Sequence, residues 1–218
     1  MKKFTIAVDG PSASGKTTIC KKLAQKLNIN HLSSGALYRA ITLYMIENNI
    51  EVNDIQNFLN KINIKVEFEN FLQKIYLNGR LVTDKLNTEE VSLLSSLISQ
   101  KLEVREYVKK IQRNLAENQN IIIDGRDITS VILPDSKYKF FVTASVEARA
   151  QRRCLQYNQT EKLEDIIKDI QLRDERDKNR KICPLIKTHD SILIDSTYMN
   201  IDETVNTMLK YIKEYKGN

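Results

Sequence analysis

Eight residues near the N-terminus carry the clearest chemistry in the chain. Gly10-Pro11-Ser12-Ala13-Ser14-Gly15-Lys16-Thr17 follows the spacing G-x-x-x-x-G-K-[ST]. Its glycines let backbone amides turn inward onto phosphate oxygens, and the helix that follows adds the positive end of its dipole. In such a loop the Lys16 ammonium reaches the β- and γ-phosphates of a nucleoside triphosphate. The Thr17 hydroxyl ligates Mg2+, and Thr18 completes the ATP-binding stretch. Asp124 closes the apolar run Ile121-Ile122-Ile123. A carboxylate there suits the water shell of the same metal ion, although an Asp in a surface turn after a strand is also common.

The acceptor side is written in arginine. Phosphoryl transfer is mostly positioning and neutralisation of charge. An acceptor that is itself a phosphate has a second pKa of about 6 and is largely ionised at neutral pH. Such an enzyme needs no general base; it needs cations that hold two mutually repelling anions together. Neither of the two histidines, His31 and His189, stands in a catalytic setting. Arginines, by contrast, stand where a site should be. Arg39 lies on the first turns of a helix opened by Ser33-Ser34-Gly35, and Arg126-Asp127 lies just past Asp124. Arg149, Arg152 and Arg153 share one helix, ahead of a polar stretch, Tyr157 to Lys162, that could move as a flap. Arg173, Arg176, Asp177 and Arg180 fall at helical angles of about 0°, 300°, 40° and 340°, one arc of roughly 100°. Taken alone, that arc also reads as a solvated face with i,i+4 pairs.

The elements that must position these groups follow from periodicity. A strand over Phe4 to Val8 precedes the loop, and a helix from about Lys16 to Leu27 follows it, with Ile19, Cys20, Leu23, Ala24 and Leu27 on one face. A short strand is expected near Ile29 to Leu32, then the helix carrying Arg39. From Ile62 to Thr83 the period changes to two, and Asn78-Gly79 between apolar runs is a hairpin signal. This three-stranded antiparallel patch is read as an insert over about 62–84. Asn87-x-x-Glu90 is a candidate capping box for a long helix through about Ala116. Ile121 to Ile123 suits a central parallel strand. Strands are expected at Tyr138 to Thr143 and Ser191 to Ile194, with helices near Val146 to Tyr157, Glu161 to Arg180 and Ile201 to Tyr215, the last opened by Asn200-x-x-Glu203. Alternating strands and helices imply an α/β fold with a parallel sheet.

Composition narrows the class. The chain has 218 residues, 41% of them hydrophobic and 28% charged, with only six Gly and three Pro. That is enough apolar surface for one large core, and it excludes collagen-like and low-complexity chains. The longest unbroken apolar run is four residues, Leu43 to Ile46, against about 20 for a membrane span. A soluble cytoplasmic monomer without membrane partners is expected. Cys20, Cys154 and Cys183 are odd in number and far apart, which speaks against a disulfide framework or a zinc site. A net charge of +6 suits an anionic partner, whether nucleic acid, a membrane surface or a phosphorylated metabolite.

Read together, these segments resemble bacterial cytidylate kinase over nearly the whole chain. The resemblance rests on Asp9-Gly10-Pro11-Ser12 with Gly15-Lys16-Thr17, Ser33 to Arg39, Asp124-Gly125-Arg126-Asp127, Ala148 to Arg153, and Arg173 to Arg180. The phosphate loop marks only a superfamily; the other segments, in this order, are far more specific. The resemblance implies a P-loop NTPase-type five-stranded parallel sheet flanked by helices, with the insert as part of a monophosphate-binding subdomain (about 36–115) and a lid at 150–166. It implies transfer of the γ-phosphate of ATP to CMP or dCMP with Mg2+. Ser34, Arg39 and Arg126 would hold the CMP phosphate, while Ser96, Arg105 and Asp127 would read cytosine. Asp177 with Arg173 would hold the ribose, Arg180 would approach the reacting phosphates, and Arg152 and Arg153 would close onto ATP. Asp127 can accept from the N4 amino group of cytosine while Arg105 serves its acceptors; uracil presents an acceptor there instead, the kind of mismatch that discriminates strongly.

One expectation comes from geometry, and two come from departures from the family that the chain resembles. Ser96 and Arg105 are nine residues apart, about 900° of helix, so they point opposite ways on one straight helix. If both touch one base, the helix breaks between Ser99 and Glu103, where no Gly or Pro marks it and Lys101-Leu102-Glu103 stands where a Pro is expected in relatives. Ala13 replaces a frequent Gly, so its φ should be unstrained, and Ser33 replaces a common Asp, removing a carboxylate near the metal. Other acceptors (UMP, AMP or a non-nucleotide) and a nucleic-acid-binding ATPase are the alternatives. Asp127 and the insert argue against the former. The absence of Trp and of a basic stripe with interleaved aromatics argues against the latter.

Overall fold

The computed structural model describes residues 3–157 and 162–212. Its first strand, β1 (Thr5–Asp9), leads through the phosphate loop into α1 (Lys16–Leu27); β2 (Asn30–Ser33) and α2 (Ser34–Glu47) follow. After a 3-10 turn come β3 (Ile64–Glu69), β4 (Leu72–Leu77) and β5 (Arg80–Leu81), then α3 (Glu89–Ile98) and α4 (Leu102–Asn118). The remainder alternates: β6 (Ile121–Gly125), β7 (Tyr138–Thr143), α5 (Val146–Tyr157), α6 (Leu163–Asn179), β8 (Ile192–Asp195) and α7 (Ile201–Tyr211).

The strands β2, β6, β1, β7 and β8 run parallel in that order, the expected five-stranded core. The insert is joined to it. A parallel bridge from His31 to Leu72 attaches β4 to the β2 edge, so β3, β4 and β5 extend one eight-stranded sheet. The Asn78-Gly79 turn has φ of 48° and 82°, the positive values that only such residues adopt readily.

Why the central strands are apolar throughout is plain from the cores. Ile121 and Ile123 enter one cluster with Ala7 and Leu32, packed by α2 and α4. Ile122 enters the other with Ile6, Val8 and Phe140, packed by α1 and α7. Side chains alternate across a strand, so a strand covered on both faces needs apolar residues at every position.

Two helix boundaries differ from expectation. Thr88, not Asn87, caps α3: its side chain accepts from the Val91 amide at 3.3 Å, because Asn87 is taken up by the 3-10 turn Thr83–Asn87. The long helix does break, at Ser99–Lys101, where Lys101 is extended (φ −80°, ψ 127°). Side chains hold the break without Gly or Pro: Arg105 donates to the Ser99 carbonyl at 3.0 Å and Lys101 to Asn53 at 2.7 Å. The Asn200–Glu203 box on α7 forms both of its bonds. All three cysteines are free thiols. No helix among the described residues is long and apolar enough to cross a membrane.

Candidate active site

The parallel register brings the chemistry to the C-terminal ends of the central strands. Val8 pairs with Asp124 and Asp9 with Gly125, so the phosphate loop leaves β1 directly beside the end of β6. Gly10 makes this approach possible: a Cβ there would lie 2.0 Å from the Val142 carbonyl oxygen of β7. Beyond it lies a cleft of about 440 Å³.

At its floor, Lys16 is buried and donates to the Pro11 carbonyl at 3.0 Å. Burial, reinforced by Arg126, lowers its ammonium to about 7. Thr17 donates its hydroxyl to Asp124 Oδ2 at 2.9 Å, and His31 Nε2 donates to Asp124 Oδ1 at 2.7 Å. Burial alone would raise the Asp124 carboxyl, but the His31 bond, Lys16 and the Thr17 bond together hold it below the usual range. These oxygen ligands, a hydroxyl and a carboxylate, are the type a hard divalent cation takes. Cys20 has its sulfur within 4.8 Å of His31 and Asp124 ligand atoms, but burial pushes its thiol well up, so at neutral pH it is an apolar neighbour.

Across the cleft, Arg126 donates from Nε to Asp177 Oδ2 at 2.7 Å. Burial would raise Asp177, but Arg126 first, then Arg173 and Arg180, keep it low. Asp127 is the hub of the far end. Arg105 donates to its Oδ2, and Arg180 Nη2 lies 3.6 Å from its Oδ1. Burial pushes the Asp127 carboxyl up against the pull of these guanidiniums. Burial also brings Arg173 down to about 10, with Arg126 adding to it, and lowers Arg180, whose neighbour Arg105 acts the same way. The cleft is lined by eight basic side chains and three carboxylates. Cations this poorly compensated favour the binding of anions.

Most expected residues meet here. Ser12 to Thr18, Ser34, Arg39, Ser96, Arg105, Asp124, Arg126, Asp127, Arg153, Arg173, Asp177 and Arg180 all line the cleft. Gly10 and Pro11 lie behind the loop, one as a packing contact and the other as the Lys16 acceptor. Arg152 is a correction: it faces away, bonded to Ser196 Oγ at 3.0 Å, the Ser196 carbonyl at 2.5 Å and the Met199 carbonyl at 3.3 Å. The carbonyls of the turn after β8 supply the acceptors that a phosphate was expected to supply. Arg176 bonds Ser96 Oγ at 2.9 Å and is otherwise exposed. Ala13 is a second correction, with φ of +56°, a region that costs an L-residue about 1–2 kcal/mol. No residue of the insert lines the cleft; Gln73 reaches it only by accepting from the Ser33 amide at 2.8 Å. The polar flap expected at Tyr157 to Lys162 falls largely outside the described residues.

Four participants escaped the sequence reading. β-strand alternation puts His31 on the same face as Ser33, a placement that its residue type alone does not signal. Gln112, which donates to Ser34 Oγ at 2.7 Å, lies two helical turns beyond Arg105. Asp174 continues the buried stripe Ile166-Ile170 at i+4, an unusual place for a carboxylate. Asp9 accepts from the Ile128 and Thr129 amides at 2.8 and 2.7 Å and so orients the chain after Asp127; burial raises its carboxyl to about 6 against these bonds.

Known proteins align with this arrangement. The profile of the family described as cytidylate kinase matches residues 6–214. A cytidylate kinase of Halalkalibacterium halodurans is 43% identical, over 98% of this chain and 99% of the relative. One of Thermosipho melanesiensis is 42% identical, over 96% of both. Among solved structures, an uncharacterised protein of Eubacterium ventriosum shares the fold with a TM-score of 0.56 at 16% identity, over 97% of this chain and 99% of its own.

Proposed function

This chain belongs to the cytidylate kinase family, and from that premise we propose how its cleft divides the work of the reaction. It is an ATP-dependent phosphotransferase that moves the γ-phosphate of ATP to CMP or dCMP, giving ADP and CDP or dCDP. One observation carries the assignment of residues: the phosphate loop and the Arg105–Asp127–Arg180 cluster open into one cavity rich in positive charge.

ATP lies along the amides of residues 12–18, with Lys16 on its β- and γ-phosphates and Arg153 beside them. Thr17 and Asp124 would hold Mg2+, Asp124 through the ion's water shell, and the ion would supply neutralisation of phosphate charge. The CMP phosphate sits between Ser34, Arg39 and Arg126, with Gln112 fixing the Ser34 hydroxyl. Asp177 and Arg173 take the ribose. Asp127 and Arg105 part from each other to meet the N4 amino group and the acceptor edge of cytosine. Ser96 Oγ already accepts from Arg176, which leaves its proton to donate to the base. Arg180, at the C-terminal end of α6, bridges the base pocket and the reacting phosphates. The region of about 36–115 serves as the acceptor subdomain, with the strands at 62–84 stiffening its outer edge.

The base assignment is tested with Asp127→Asn. It should lower kcat/KM for CMP by about 30-fold or more, because the N4 amino group of cytosine loses its charged acceptor, a charge-assisted hydrogen bond of about 1.5–3 kcal/mol. ATP affinity should change by only a few-fold. Steady-state kinetics with CMP and UMP check this; an unaltered CMP-to-UMP preference would remove Asp127 from base recognition.

A further inference from the structure

The phosphate loop is gripped from behind by a buried ion pair, neither member of which itself lines the cleft. Arg149 comes from α5 and Asp174 from α6, and both are buried. Asp174 Oδ1 accepts from the Ser12 amide at 2.9 Å. Its Oδ2 lies 2.5 Å from Arg149 Nη1, which also donates to the Ser12 carbonyl at 2.9 Å. Arg149 Nε is fixed on the Ala144 carbonyl at 3.0 Å. Both backbone polar groups of one loop residue are therefore held by one ion pair.

The next residue is Ala13, with its φ of +56°. A side-chain-bearing residue stays in that region only where its surroundings over-determine it. On the far side, the loop is tied by Lys16 to the Pro11 carbonyl. On the near side, the tie is the Arg149–Asp174 pair. An ion pair whose only task was to join α5 to α6 would gain little from its burial; this one is spent on Ser12.

We propose that Arg149 and Asp174 are positioning residues for phosphoryl transfer: they hold Ala13 left-handed and so keep the loop amides aimed at ATP. ATP affinity is thereby coupled to the packing of α5 on α6. This rests on the reading that the loop binds ATP.

A double-mutant cycle tests it. ATP and CMP are titrated separately by calorimetry into the wild-type chain, Asp174→Asn, Ala13→Gly and the double variant. Asp174→Asn should weaken ATP about tenfold, the scale of one charge-assisted hydrogen bond, and CMP less than about twofold. Glycine needs no clamp to adopt positive φ. Ala13→Gly should therefore recover ATP affinity in the Asp174→Asn background by about fivefold more than it changes it in the wild-type background. Equal weakening of ATP and CMP, or an effect of Ala13→Gly that is the same in both backgrounds, would overturn the proposal. If Asp174→Asn does not fold, Arg149→Lys, which keeps the charge but not the fork onto Ser12, takes its place in the cycle with the same expected coupling. Failure of the wild-type chain to bind ATP would instead sink the functional reading.

Discussion

Arg180→Ala should slow turnover by about three orders of magnitude while leaving the chain folded. The side chain is 5% exposed, within 3.6 Å of Asp127, and bonded through Nε to the Cys183 carbonyl. Those contacts fix a guanidinium beside Asp127 in the cleft, where the proposed base pocket would meet the proposed phosphate site. Its positive charge is disfavoured by burial and by Arg105. A cation held at such a cost is most useful when negative charge develops beside it, and arginines in that role contribute about 10³-fold or more to phosphoryl transfer. The loss should therefore fall on kcat at saturating ATP and CMP. A modest rise in KM with kcat intact would make Arg180 a support for Asp127 and nothing more.

Lys16→Ala should cost about 10²–10³-fold in kcat, the scale for removing one preorganised transition-state contact. Its effect on stability should have the opposite sign. Burial brings the ammonium to about 7 in the folded chain, against an ordinary value of 10.5. The unfolded chain thus binds more protons between those values, and Lys16 weakens the fold as pH falls from about 10 toward 7. Removing it relieves that cost, so the variant should melt no lower than the wild-type chain at pH 7. Thermal melts beside initial rates check both parts. Near wild-type turnover would take Lys16 out of the mechanism.

How much of this was legible in the sequence depended on range. Local patterns are legible: the phosphate loop, α1 over Lys16–Leu27, the Asn78-Gly79 hairpin, the Asn200–Glu203 cap and the positions of the central strands. Each is set by neighbours within a few residues. The break between α3 and α4 has no Gly or Pro; it followed only from requiring Ser96 and Arg105 to meet. What stayed hidden is held by distant partners. Asp174 reaches Ser12 across 162 positions, His31 reaches Asp124 across 93 and Gln112 reaches Ser34 across 78. No period encodes such a pair. Arg152 failed for a related reason: its position on α5 was right, but the nearest acceptors belong to the turn after β8. Ala13 shows the limit from the other side, since its neighbours impose a φ that its residue type does not favour.

Charge compensation in place of proton abstraction is tested most directly by the pH dependence of kcat/KM for CMP at saturating ATP. This kcat/KM should rise with the second ionisation of the CMP phosphate, at about 6, and show no further rise, because the acceptor has no proton for a side chain to remove; the phosphates of bound ATP keep the Lys16 ammonium charged past neutral pH. The same rise should persist in the Asp127→Asn variant. A second rise above pH 7, belonging to the enzyme and displaced by substituting a side chain in the cleft, would reveal a general base and contradict charge compensation.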